Sequence, residues 1–118
     1  MNFSFDLKQE STVSIIFFEG KMLTKEGFDD FMLDLKEQLE LNQKKFIVDI
    51  EKLEQMNSSG LNLMLKLFTS IRNKGGEMII IHPNKFIRQL LNVSKLDTVF
   101  IIAADKESAI KQLNASEA

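Results

Sequence analysis

The sequence predicts an α/β domain, a mainly parallel β-sheet of about five strands covered by about four helices. Two observations carry this. Short apolar runs, rich in β-branched residues, alternate along the chain with segments whose apolar residues recur at steps of three and four. The 118 residues are 44% hydrophobic and 27% charged, the balance of one folded domain rather than of a disordered chain. Residues 1–114 are expected to form that domain, with 115–118 a frayed tail.

Each element follows from its own pattern. Phe3, Phe5 and Leu7 alternate with Ser4, Asp6 and Lys8, the period of a strand with one wet face at a sheet edge. Val13 to Phe18 is apolar on both faces over its second half, as a central strand is, and Gly20 ends it. A short turn near Ser11 pairs these two strands antiparallel. From Lys25 to Leu41 the period changes, and Phe28, Phe31, Met32, Leu35 and Leu39 make a helical stripe with Thr24 as its N-cap. Phe46-Ile47-Val48-Asp49-Ile50 is a short apolar strand, followed by a polar loop from Glu51 to Asn57. Ser58 to Asn73 reads as a second helix with Leu61, Met64, Leu65, Phe68 and Ile71 on the core side. Gly75-Gly76 stops it by offering left-handed backbone. Met78 to Ile81 is a buried strand, broken by Pro83. Phe86 to Val93 is a short third helix and Val99 to Ile102 a last strand. Asp105 to Leu113 is a last helix, with Ala109, Ile110 and Leu113 as its apolar face.

Composition excludes several function classes. Lys plus Arg is 15 and Asp plus Glu is 17, a net charge of -2, so the chain has no bulk electrostatic attraction to nucleic acid or an anionic membrane. Cysteine is absent and His82 is the one histidine, which removes disulfides, thiolate metal sites, cysteine nucleophiles and multi-histidine sites within one chain. His82 reads as a structural or surface residue. No Gly-rich phosphate loop follows a strand, and Ser58-Ser59-Gly60 lacks the leading glycine of a nucleophile elbow. Glu51 and Glu54 lie in a loop that fixes no catalytic geometry. A non-enzyme without cofactor or metal is expected. Residues 1–10 lack the pattern of a signal peptide, and no apolar run reaches the roughly 20 residues that span a bilayer, so a cytoplasmic protein is expected.

The informative segment is Met56-Asn57-Ser58-Ser59-Gly60-Leu61. Parallel α/β sheets place ligand and partner sites in the loops after strand C-termini. Ser58 opens the helix, where unpaired backbone N–H groups favour negative charge. Asn57 or Ser58 can cap the helix itself, worth ~1 kcal/mol against alanine. Gly60 costs the helix ~1 kcal/mol relative to alanine, which implies a close approach to the backbone there.

Asn57-Ser58-Ser59-Gly60-Leu61, opening a helix after an apolar strand, resembles the signature of the STAS domain, the family of bacterial anti-sigma factor antagonists. Gly20, Gly75-Gly76-Glu77 and the segment from Phe86 to Val99 extend the resemblance to residues 1 to about 114. It implies an antagonist that binds an anti-sigma factor of the serine-kinase (GHKL ATPase) type and so frees a sigma factor. Phosphorylation of Ser58 breaks the complex, and a serine phosphatase resets it. Asn57 and Leu23 stand where such antagonists usually carry acidic residues. Those losses favour a second reading, a non-phosphorylated scaffold in a signalling assembly or the small cytosolic subunit of a lipid-transport ABC complex. The partner-binding candidates are Met22 and Leu23, in a loop expected beside Ser58, then Met56, Asn57, Ser58, Ser59 and Gly60. Leu63 and Leu67 join them, because they share one face turned away from the assigned core stripe. That face is either wedged against a neighbour or an exposed docking patch.

Overall fold

Strand pairing sets the frame. In a computed structural model describing residues 3–115, β1 (Phe3–Glu10) and β2 (Val13–Met22) form an antiparallel hairpin, with Phe3 opposite Gly20 and Glu10 opposite Val13. α1 (Phe28–Glu40) leads to β3 (Lys45–Asp49) and β4 (Leu53–Met56), and α2 (Ser58–Asn73) to β5 (Glu77–Ile81). α3 (Lys85–Val93), a 3-10 turn (Leu96–Thr98), β6 (Ile101–Ala103) and α4 (Lys106–Ala115) complete the order. The sheet runs β1-β2-β3-β5-β6, parallel everywhere except at the hairpin. β4 lies off this path and pairs in parallel with the far end of β2, beyond an irregularity between Gly20 and Lys21.

Alternation along the strands builds two cores. Ile16, Phe18, Phe46, Val48, Met78 and Ile80 point to the side covered by α1, α2 and α3, where they pack with Phe31, Leu35, Met64, Leu67, Ile87 and Leu91. Val13, Ile15, Ile47, Ile79 and Ile81 point to the other side and meet Ala109 and Leu113 of α4. Each large apolar side chain so buried contributes ~1.5–3 kcal/mol. Phe18 and Phe31 meet edge-on at 5.0 Å, which joins β2 to α1.

The structure corrects several boundaries. The sheet has six strands, because the expected polar loop holds β4. Only its end residues, Leu53 and Met56, are buried, so four residues gave no readable alternation. Gly20 does not end β2. It takes φ 91° at the irregularity, and the strand continues to Met22. α1 starts at Phe28 with Gly27 (φ 83°) as its N-cap, and Thr24 Oγ1 accepts instead from Glu26 N at 3.3 Å in the preceding turn. Of the glycine pair, Gly75 alone is left-handed (φ 80°). Gly76 is needed for space, since a Cβ there would lie 2.7 Å from the Lys44 carbonyl oxygen. The last strand begins at Ile101, after the 3-10 turn. α4 continues to Ala115; most of the tail expected at 115–118 lies outside the described residues. Among the described residues, no helix is long and apolar enough to cross a membrane.

Candidate functional site

Ser58 is the first residue of α2 and is exposed. It sits where the helix offers its unpaired N–H groups, and the first turn carries no acidic residue to oppose an incoming anion. Asn57 fixes the geometry. Its Oδ1 accepts from Ser59 N at 3.0 Å, the side-chain cap of α2. Its Nδ2 donates to the Leu23 carbonyl at 3.0 Å, and its backbone N donates to the Met22 carbonyl at 3.3 Å. One asparagine thus ties the start of α2 to the segment leaving β2, and brings Leu23 beside the serine loop as expected.

A second asparagine, not singled out in the sequence, braces the other side. Asn84 caps α3 through Oδ1, which accepts from Ile87 N at 2.8 Å. Its Nδ2 donates to the Leu53 and Glu54 carbonyls, each at 3.1 Å, and so pins β4 beneath the loop. The signal available was its place just before an amphipathic helix.

The nine candidate residues separate by depth. Leu23 is 38% exposed, Asn57 and Ser58 are exposed, and Ser59 is half-buried. Met22, Met56, Gly60, Leu63 and Leu67 are buried. Met22 closes β2 and does not lie in the loop. Gly60 does answer to a close approach, by the strand ends below it: a Cβ there would meet Met56 Cβ at 2.8 Å and Met22 Cβ at 3.0 Å. Leu63 and Leu67 form no exposed patch. They line the core with Met64 and Ile71, while Leu61, Leu65 and Phe68, assigned to the core by spacing, are half-buried. Met22 and Met56 pack beneath Gly60, Leu63 and Leu67 belong to the core, and the residues left at the surface of the loop are Leu23, Asn57 and Ser58, with Ser59 half-buried.

A groove of about 600 Å³ leads away from this surface between α1 and α2, lined by Lys25, Met32, Ser59, Asn62, Leu65 and Lys66 among others. A more apolar one of about 650 Å³ continues toward the far ends of the two helices and shares Asp29, Met32 and Ser70 with it. Neither was readable from the sequence, because helix separation is set by tertiary packing.

The STAS domain profile matches residues 4–109, nearly the whole chain. The chain belongs to the STAS domain family. The anti-sigma F factor antagonist of Paenibacillus polymyxa is 28% identical over 114 residues, covering 96% of this chain and 97% of that protein. An anti-sigma factor antagonist from Mycobacterium paratuberculosis has the same fold with a TM-score of 0.81, at 12% identity over 96% of this chain and 95% of that one. The antagonist SpoIIAA, at 21% identity, superposes in its unphosphorylated form with a TM-score of 0.79 over 95% of this STAS domain and 97% of its own chain. Its phosphorylated form, described as a Bacillus cell fate determinant, gives 0.70 over 92% and 98%.

Proposed function

We propose that this STAS domain is an anti-sigma factor antagonist working in the cytoplasm. It binds a serine-kinase anti-sigma factor of the GHKL ATPase type, so releasing a sigma factor, and phosphorylation of Ser58 switches it off. The observation that carries this reading is the exposed Ser58 hydroxyl at the capped start of α2, with Leu23 tied alongside through Asn57. The antagonist named among its relatives supports the same class. In the transfer, Ser58 Oγ attacks the γ-phosphorus of ATP, its proton leaves and ADP departs. The domain is the substrate and supplies no catalyst.

The phosphate brings about -1.5 to -2 charges at neutral pH. At the helix start it gains only ~0.3–1 kcal/mol from the dipole. Wedged into a packed interface it loses more in desolvation and repulsion, and ~3 kcal/mol weakens binding more than 100-fold. A serine phosphatase restores the hydroxyl.

The test mixes the protein with such a kinase from the same cell, magnesium and ATP. Intact mass is expected to rise by about 80 Da on wild type and not on Ser58→Ala. Ser58→Ala keeps the complex and Ser58→Asp loses it. Unchanged binding by Ser58→Asp defeats the switch. Asn57 and Leu23 favour a second reading, a non-phosphorylated scaffold in a signalling assembly or a small cytosolic subunit of a lipid-transport ABC complex. A stable complex without any phosphate on Ser58 is its signature.

A further inference from the structure

We propose that Asp49, Glu51 and His82 form a site for one divalent first-row transition cation of the zinc class. His82 Nδ1 lies 3.3 Å from Asp49 Oδ1 and 3.6 Å from Glu51 Oε1, and the three potential ligand atoms all fall within 4.8 Å of one another. Ligands held tetrahedrally at about 2.1 Å from a metal are about 3.4 Å apart. The two measured distances bracket that spacing.

The fold assembles this trio from separate elements. Asp49 ends β3 and pairs with Ile81, the last residue of β5. His82 follows directly, with its backbone left-handed at φ 61°. All three therefore lie at the C-terminal end of the parallel strands, where α/β sheets hold ligands. Asp49 is the anchor, with its side chain only 15% exposed; His82 is at 34% and Glu51 at 71%. Glu51 N donates to Asp49 Oδ1 at 3.0 Å, an outer hydrogen bond of the kind that orients a ligating carboxylate.

A second observation points to a cation. Asp49 and Glu51 line a cavity of about 200 Å³ that also carries Asp6, Lys8, Glu19 and Lys52. Four acidic residues and two lysines line it, so its wall carries net negative charge, and Asp49 and Glu51 join it to the site while His82 closes the site from outside the lining. One imidazole with two carboxylates suits borderline cations rather than Mg²⁺, which keeps its waters and prefers oxygen. Three protein ligands leave a fourth position for water. Because His82 is the one imidazole and cysteine is absent, no other place in a single chain offers a nitrogen or sulfur set for such an ion.

The experiment treats the full chain with a chelator, removes the chelator and titrates with ZnCl₂ at pH 7.5 by calorimetry. One zinc per chain is expected, with a Kd below about 10 μM. Excess Mg²⁺ should not displace it. The test variant is His82→Asn, because asparagine tolerates left-handed backbone while removing the imidazole. It is expected to weaken binding at least tenfold. Should His82→Asn unfold, nitrogen NMR of the wild-type imidazole decides, since zinc should shift its Nδ1 resonance. No saturable binding by wild type, equal affinity in His82→Asn, or an unmoved His82 nitrogen overturns the site.

Discussion

Asn57 stands where the family resemblance expects an acid, and its amide does something a carboxylate cannot. Nδ2 donates to the Leu23 carbonyl while Oδ1 caps α2. A carboxylate keeps the cap but has no proton for Leu23. Losing the cap costs ~1 kcal/mol, and losing a hydrogen bond at an exposed site costs ~0.5–1.5 kcal/mol. Asn57→Ala is therefore expected to destabilise by about 2 kcal/mol, a fall in Tm of roughly 8 °C for a domain of this size. Asn57→Asp should fall between alanine and wild type. Thermal unfolding followed by circular dichroism checks both, and an Asn57→Ala protein as stable as wild type would show that the bridge to Leu23 carries no energy. The same bridge ties the serine loop to the backbone at Leu23 through neutral hydrogen bonds alone.

At the scale of the element, α2 shows where pattern reading stops. Seven of its residues from Leu61 to Ile71 are large and apolar, so a period of 3.6 admits more than one inward face. The exposed Asn62, Lys66 and Thr69 mark the outer face, and the positions opposite them are Gly60, Met64, Leu67 and Ile71. Leu67 is completely buried and Leu61 is not. Leu67→Ala should cost ~2–5 kcal/mol, and Leu61→Ala less than about half as much; chemical denaturation of the two variants ranks them, and the reverse order would restore the face first assigned. β2, β3 and β5 were legible because their apolar runs are continuous, as strands buried on both faces require. β4 was not, because its pairing depends on an irregularity in β2 that only tertiary contact reveals. The serine loop was legible as a helix start after a strand, whereas the depth of Met22, Met56, Leu63 and Leu67 was not, since spacing does not tell a supporting residue from a contacting one. α4 adds a pH-dependent element. Its start is capped by Asp105, whose carboxylate accepts from Ser108 N at 2.8 Å. That backbone hydrogen bond, aided by the Ser108 hydroxyl, holds the Asp105 pKa below its ordinary value. A carboxyl lowered on folding stabilises above its unfolded pKa, near 4, and loses that contribution as pH falls through the folded value. Stability measured from pH 5 to pH 2 should therefore fall more steeply in wild type than in Asp105→Asn, and parallel curves would exclude Asp105 as a contributor.

Across the whole molecule, the proposed switch is a surface event on a scaffold that does not need to move. Ser58 lies outside both cores, and two residues further along α2 Gly60 already sits so close to Met22 and Met56 that a Cβ would not fit. Added charge at the helix start meets unpaired N–H groups and no neighbouring carboxylate in the first turn. The gain there is ~0.3–1 kcal/mol, too small to repack a core and of the sign that stabilises. SpoIIAA superposes on this fold in both its unphosphorylated and phosphorylated forms. Ser58→Asp is accordingly expected to hold or raise Tm, by no more than about 4 °C. Its amide NMR shifts should be confined to Leu23, residues 56–62 and the α1 face of the groove. Such a variant is folded in every respect and defective only in binding, so the loss of its complex reports charge at the interface. A drop in Tm with shifts spreading to β5, β6 and α4 would mean the opposite. The phosphate would then act by loosening the sheet, and partner release would follow from a conformational change rather than from repulsion at the loop.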